Sequence, residues 1–122
     1  MTEQKVDLKQ LILRIKESKG FEANLILNEG CIIYIQDTTP LIKVLNYIIN
    51  YMNQLTDRPL EVSLDLRMND FLLIVMAYTE KSDLPNLSDQ LDGVLKDYNA
   101  KLDKVHEAGK YLQLKLSFAK SD

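Results

Sequence analysis

Residues 33–54, IYIQDTTPLIKVLNYIINYMNQ, decide the fold of this chain because they pass from an apolar strand signal into an amphipathic helix. Pro40 suits the first helical turn, and the polar residues before it are candidate caps. One arc of the helix is aliphatic and carries Leu41, Leu45, Met52 and Leu55 within about 60° of Ile48 on a helical wheel. Tyr51 lies about 60° to one side of Ile48 and Tyr47 about 100°. The stretch therefore predicts a helix packed on a sheet, with two phenol rings on one flank.

The same two periodicities organise the rest of the chain. Helical spacing covers residues 7–20 and 87–105, and strand signals cover residues 21–27, 31–36, 60–68, 71–78 and 111–118. Asp7 is a candidate cap at the start of the first helix, and Gly20 and Gly109 are predicted to end the first and third helices. The run FLLIVMAY, residues 71–78, is apolar on both faces, which is typical of a central strand covered on both sides. The predicted fold class is an α/β (α+β) two-layer sandwich in the order α-β-β-α-β-β-α-β, with three helices on one face of a mixed sheet.

Length and composition favour one domain over residues 1–122. The net charge is -3, and Lys and Arg are scattered, which argues against a nucleic-acid-binding surface. No apolar run approaches the roughly 20 residues that span a bilayer, and the polar N-terminus lacks the apolar segment of a signal peptide. These features predict a cytoplasmic protein that has neither nucleic acid nor membrane as a partner.

The order of elements and the local sequence resemble the catalytic, ATP-binding domain of sensor histidine kinases, the GHKL or Bergerat fold shared with Hsp90, gyrase B and MutL. Residues 6–15, VDLKQLILRI, resemble the first helix of that family, and residues 33–54 resemble its strand, aspartate turn and asparagine-box helix. Residues 60–79, LEVSLDLRMNDFLLIVMAYT, resemble the hairpin that follows, and residues 110–118, KYLQLKLSF, the closing strand. The resemblance extends over almost the whole chain. It supports a shared fold better than a shared activity.

The positions that correspond to the nucleotide site of the family do not carry its signature residues. The resemblance implies that the second asparagine of the helix holds the magnesium of Mg-ATP, and Tyr51 stands there. Ala77 stands where an aspartate would accept a hydrogen bond from the adenine amino group, and Thr79 where the first glycine of that box would lie. Glycines let backbone amides approach phosphates, yet none lies between residues 31 and 92. The degenerate pocket positions are therefore Tyr47, Tyr51, Ala77 and Thr79. We expect no catalytic residue, no cofactor and no enzymatic activity.

Three tyrosines are candidates for a protein-binding face. Tyr47 and Tyr51 share one flank of the helix, and we expect Tyr78 to sit near the same mouth. Tyrosines give large contact area with few rotatable bonds and are enriched at the centres of interfaces. The alternative interpretation is that the rings only flank the core, with their hydroxyls reaching solvent.

Other reactive side chains do not predict a site. His106 is expected near a helix end, where a positive charge suits the helix C-terminus, and not exposed in mid-helix as a phosphoacceptor. Cys31 opens an apolar strand without basic neighbours in sequence, so we expect a buried and unreactive thiol. The acidic residues lack the spacing of a calcium loop and are expected on a solvated helix face, so no metal site is predicted from Asp83, Asp89, Asp92, Asp97 and Asp103.

The sequence thus favours a non-catalytic domain of the kinase-like ATPase fold that acts as a protein-binding or regulatory module in bacterial signalling. Its partner would be a two-component signalling protein or a second copy of this chain. Two alternatives remain open: a working ATP-binding protein of the same fold with a divergent pocket, and an unrelated α/β protein.

Overall fold

Each predicted element has a counterpart in the computed structural model, which describes residues 3–120. The helices are α1 (Leu8–Lys19), α2 (Thr39–Asn53) and α3 (Leu91–Lys96). The strands are β1 (Gln4–Asp7), β2 (Ala23–Leu27), β3 (Ile32–Ile35), β4 (Leu60–Leu66), β5 (Asp70–Tyr78), β6 (Ala100–Glu107) and β7 (Tyr111–Ala119). The predicted order is kept, and β1 and β6 are added to it.

The main sheet is mixed, as the sequence predicts. Its five strands lie in the order β2-β4-β5-β7-β6, with β2 and β4 parallel and the other neighbours antiparallel. The short strands β1 and β3 pair antiparallel in a separate two-stranded sheet. The two-layer sandwich of α and β elements is therefore confirmed.

The first helix begins and ends where its local signals place it. The carboxylate of Asp7 accepts hydrogen bonds from the backbone N–H groups of Lys9 at 3.0 Å and Gln10 at 3.4 Å. Gly20 closes the helix at φ 68°, and its N–H donates to the carbonyl of Lys16 at 2.8 Å. A left-handed conformation of this kind favours glycine because it carries no Cβ.

The core lies between the helices and one face of the main sheet. An apolar pocket lined by α1, α2, β4 and β5 marks this layer, with the side chains of Ile12, Ile15, Phe21, Leu45, Ile48, Ile49, Val62, Leu73 and Val75. In β5 the residues of the core face are buried, whereas those of the opposite face are half-exposed. The prediction that β5 is covered on both sides is therefore wrong for residues 3–120, because the helices pack on the same face.

The third helix is much shorter than the sequence predicts. The apolar stripe of residues 87–105 suggests one long helix, but α3 ends at Lys96, Asn99 adopts φ 54°, and Ala100–Glu107 form the edge strand β6. The stripe misleads because Ala100 and Leu102 also satisfy the two-residue alternation of a strand, and pairing with β7 outweighs the helical preference. Gly109, at φ 80°, lies in the turn between β6 and β7 and does not end a helix.

Candidate functional site

The flank of α2 that the sequence singles out carries two stacked phenol rings. The carboxylate of Asp37 accepts a hydrogen bond from the backbone N–H of Thr39 at 3.0 Å, which helps start the helix. The aliphatic arc of α2 is buried, as predicted. Tyr47 and Tyr51 follow each other by one helical turn, with ring centroids 6.4 Å apart and planes inclined by 28°. The two rings therefore stack against each other beside the core arc.

Both hydroxyls bind the backbone of the loop formed by residues 79–90, which connects β5 to α3. The hydroxyl of Tyr51 donates to the carbonyl of Pro85 at 2.6 Å. The hydroxyl of Tyr47 accepts from the backbone N–H of Ser88 at 2.9 Å. Two successive turns of α2 thus hold two points of the loop, and we call this arrangement the tyrosine latch: Tyr47, Tyr51 and their loop partners Pro85 and Ser88.

The two tyrosines differ in burial. Tyr51 is only 6% exposed, whereas Tyr47 is half-buried. Burial raises the pKa of the Tyr51 hydroxyl, and the neighbouring Tyr47 contributes in the same direction. The hydroxyl of Tyr51 therefore stays protonated at neutral pH, which a donor to the carbonyl of Pro85 requires. Sequence reasoning found the two rings but not their partners, because Pro85 and Ser88 lie 34 and 41 residues away along the chain.

Ala77 in β5 and Thr79 directly after this strand are closed off from solvent. Ala77 is fully buried and Thr79 is 4% exposed. The backbone N–H of Thr79 donates to the carbonyl of Lys110 at 3.1 Å, and its hydroxyl accepts from the N–H of Lys81 at 3.2 Å. At position 77 the side chain is a methyl group, so it offers no hydrogen-bond acceptor to an adenine base.

Tyr78 does not join the other two tyrosines. Strand alternation turns its side chain to the face of the sheet opposite Ala77, where the guanidinium of Arg58 lies 4.5 Å from the ring centroid. This pair lines an open cleft of about 690 Å³ between the end of α2, the end of β5 and the β6–β7 turn. Lys81 and Lys110 also line the cleft. The sequence did not point to Arg58, since a single Arg after a helix carries no signal of its own.

A smaller apolar groove runs between α2 and α3. It has a volume of about 230 Å³ and is lined by Pro40, Lys43, Val44, Tyr47, Ser88, Gln90, Leu91 and Val94. The latch closes one side of this groove because Tyr47 and Ser88 belong to both. An apolar side chain of another molecule could enter the groove without separating α2 from the loop.

His106 and Cys31 lie outside these sites. His106 lies on the edge strand β6 and not near a helix end, and its Nε2 lies 3.3 Å from the carbonyl oxygen of Lys81. Cys31 is fully buried, as expected, and this burial, followed by the charge of Asp7, raises the pKa of its thiol.

Two kinds of feature were not found among residues 3–120. Their His, Cys, Asp and Glu side chains form no group of three or more that could hold a metal ion. None of the helices in this part of the chain combines the length and apolar character needed to cross a bilayer.

Comparison with solved structures identifies the fold. The chain is similar to the Acinetobacter baumannii histidine kinase AdeS, with a TM-score of 0.77 and 10% identity over 100% of this chain and 69% of that one. It is similar to the histidine kinase domain of the E. coli osmosensor EnvZ, also with a TM-score of 0.77 and 10% identity, over 100% of this chain and 91% of that one. It is similar to the catalytic domain of the histidine kinase ThkA, with a TM-score of 0.72 and 12% identity over 98% of this chain and 97% of that one.

The fold is therefore that of histidine kinase catalytic domains, which leaves the open alternative of an unrelated α/β architecture without support. No protein-family model matches the sequence, and no curated protein matches it significantly. At 10 to 12% identity the likeness concerns the fold alone.

Proposed function

We propose that this domain is a non-catalytic member of the kinase-like fold that acts as a protein-binding or regulatory module in bacterial signalling. The observation that carries the proposal is the tyrosine latch, in which Tyr51 and Tyr47 bind the loop of residues 79–90 through Pro85 and Ser88. On the resemblance described above, this is the flank of the helix where an ATP-binding relative keeps asparagines for magnesium.

Magnesium and phosphate require that flank to be polar and open. Here the buried ring of Tyr51 occupies it, and an aromatic ring offers no ligand of the kind that magnesium prefers. The fully buried methyl group of Ala77 supports the same conclusion at the adenine position. Three features of different chemistry therefore argue against a nucleotide: a ring at the metal position, a methyl group at the adenine position, and a loop without glycine.

The apolar groove between α2 and α3 is the surface that we propose for a protein partner. Its floor is aliphatic, Tyr47 forms one wall, and Lys43 stands at its rim. Such a groove suits an apolar anchor residue flanked by a carboxylate, a combination that buries apolar area and gives Lys43 an opposite charge. We propose a two-component signalling protein as the partner class.

Calorimetry tests the absence of nucleotide binding. Titration with magnesium and ATP at millimolar concentration should give no heat of binding, whereas a histidine kinase catalytic domain of the same fold, titrated alongside, should give one. A dissociation constant in the micromolar range would contradict the proposal.

A pull-down from native cells tests the groove. Tyr47→Ala should lower the recovery of the partner, because it removes one wall of the groove, whereas Tyr34→Ala, at a 51% exposed tyrosine elsewhere, should not. Equal recovery with both variants would contradict the assignment of the groove.

One observation favours a second candidate, an ATP-binding protein with a divergent pocket. The cleft beside Tyr78 holds an aromatic ring and three cationic side chains, those of Arg58, Lys81 and Lys110, although Asp57 and Glu80 also line it. If calorimetry detected ATP and Arg58→Ala abolished the heat, the nucleotide would bind at this cleft and not at the latch.

A further inference from the structure

The face of the main sheet that points away from the helices is unusually apolar for a solvent-facing surface. An antiparallel sheet with one solvated face normally alternates apolar and polar residues. In β5 the outward residues are instead Leu72, Ile74, Met76 and Tyr78, all half-exposed. Within residues 3–120 the helices lie on the opposite face, so no helix covers this column of side chains, although the guanidinium of Arg58 lies over the ring of Tyr78. We call the outward face of the main sheet the open face.

The apolar character extends to both edges of the open face. Ile26 on the edge strand β2 is 71% exposed, and Val105 on the other edge strand, β6, is 37% exposed. Both residues point outward, since Ile26 pairs with Ser63 of β4, and Val105 pairs with Gln113 of β7. The open face thus carries an apolar central column and an apolar residue at each side.

Charge is distributed unequally about the central column. On one side, β4 presents the carboxylates of Glu61 and Asp65. On the other side, β7 presents the ammonium group of Lys115, and the edge strand β6 presents Lys101, Asp103 and Glu107, with Asp103 beside Lys115 in the same row. Glu61 lies in the row of Met76, Lys115 in the row of Ile74, and Asp65 in the row of Leu72. Lys115 therefore lies in the row between those of the two carboxylates, on the opposite side of β5.

The acidic side chains of β4 and the basic side chain of β7 are complementary under one two-fold axis. If the axis runs along β5, between two open faces, it places β4 of one copy over β7 of the other. Lys115 of each copy then faces the gap between Glu61 and Asp65 of the other. The same axis brings β2 over β6, so that Ile26 lies over the row of Asp103, next to the row of Val105. An axis perpendicular to the strands would instead place carboxylates over carboxylates, which costs free energy.

We propose that the open face binds a second copy of this chain, sheet to sheet, about a two-fold axis parallel to β5. Two sheets pack face to face about 10 Å apart with nearly aligned strands, and the side chains of the inner faces interdigitate. Nine residues of β5 and five strands give a face of roughly 30 Å by 20 Å. This approaches the ~800 Å² per partner of a standard interface, so we expect a dimer with a micromolar dissociation constant.

Analytical ultracentrifugation of the full chain across micromolar to millimolar concentration tests the dimer. Ile74→Glu places a carboxylate at the centre of the apolar column and should raise the dissociation constant at least about ten-fold. Met68→Glu is the matched control, because Met68 is 88% exposed in the turn between β4 and β5, off the open face. It should leave the dissociation constant unchanged.

A charge reversal tests the orientation of the two copies and leaves the apolar column unchanged. Lys115→Glu should weaken the dimer, and adding Glu61→Lys and Asp65→Lys should restore it, because both sides of each contact are then reversed. Circular dichroism of every variant verifies the fold. The proposal is overturned by a chain that stays monomeric at millimolar concentration, by a dimer that tolerates Ile74→Glu, or by a triple variant that fails to recover association.

Discussion

Tyr51→Ala tests the tyrosine latch most directly, because the ring is buried and its hydroxyl binds the loop. Truncating a buried large aromatic side chain costs about 3–5 kcal/mol of the free energy of unfolding. Losing only the hydroxyl, as in Tyr51→Phe, costs about 0.5–1.5 kcal/mol, the net contribution of a hydrogen bond. Since Tyr51 is 6% exposed, we expect the full cost of truncation and therefore a several-fold larger effect for Tyr51→Ala than for Tyr51→Phe.

Urea unfolding followed by circular dichroism measures both variants. With a slope of about 2 kcal/mol/M, Tyr51→Ala should lower the midpoint by roughly 1.5–2.5 M, and Tyr51→Phe by less than about 1 M. The domain should remain folded in water, because the free energy of unfolding of native domains is about 5–15 kcal/mol. Tyr34→Ala is the matched control at an exposed ring and should change the free energy of unfolding by less than about 1 kcal/mol.

Hydrogen exchange separates the latch from simple core packing. In the Tyr51→Ala variant, amide protection should fall in residues 79–90 more than in α1, since the carbonyl of Pro85 loses its donor and the loop loses a wall. A loss below about 1 kcal/mol, or a uniform change in protection along the chain, would refute the reasoning that this ring fixes the loop.

Three further results are expected. His106→Ala should change the free energy of unfolding by no more than about 0.5 kcal/mol and produce no phenotype; a signalling defect in the folded variant would revive a phosphoacceptor role. Cys31→Ser should cost about 1–3 kcal/mol in denaturant titration, because a fully buried hydroxyl then needs a partner, and the native thiol should resist a disulfide reagent until the chain unfolds. Burial is the main cause that raises the pKa values of Tyr51 and Tyr98 above the ordinary 10.0 in the folded state. As the pH rises, the unfolded chain loses these protons before the folded chain does. The contribution of both groups to stability is therefore present below about pH 10 and is lost as the pH rises through the folded-state pKa values. Between pH 9 and 11 the unfolding midpoints of Tyr51→Phe and Tyr98→Phe should fall less with pH than that of the wild-type chain.

Local signals predicted the parts of the fold that depend on neighbouring residues. The cap at Asp7, the left-handed Gly20 and the aliphatic arc of α2 all act within a few residues, and each appears where the sequence places it. By contrast, β1 pairs with β3 at a separation of about 25 to 31 residues, as in Gln4 with Ile35, and its polar sequence carries no strand signal. The strand β6 escaped prediction because Leu102 fits both periodicities and Val105 fits the helical stripe, and only pairing with β7 decides for the strand.

The candidate site was predictable to the extent that one rigid helix carries it. Helical geometry alone places Tyr47 and Tyr51 on a common flank, and the structure stacks the two rings. The prediction for Tyr78 was wrong because β5 is apolar on both faces, so its sequence does not show which face packs against the helices. Tertiary packing decides this, and it places Tyr78 on the opposite face. The loop partners of the latch were also beyond the sequence, since a carbonyl such as that of Pro85 can accept a hydrogen bond from any donor.

The latch also bears on how strongly a nucleotide could bind even if the pocket behind it were competent. A ligand that binds only when the loop is displaced must first break the contacts of Tyr51. The free energy of this step makes the apparent binding free energy of the ligand less favourable by the same amount. If opening costs about 3–5 kcal/mol, the apparent dissociation constant rises by roughly two to four powers of ten, so a dissociation constant of about 1 μM would become about 0.1 to 10 mM. In the wild-type chain, a pocket that is only closed and a pocket that lacks binding residues would both show no ATP binding. Tyr51→Ala distinguishes the two because it removes the latch. Because Ala77 still offers no acceptor to the adenine amino group, we expect Tyr51→Ala to remain without measurable ATP binding. A gain of micromolar binding in that variant would mean that the latch inhibits a working nucleotide site.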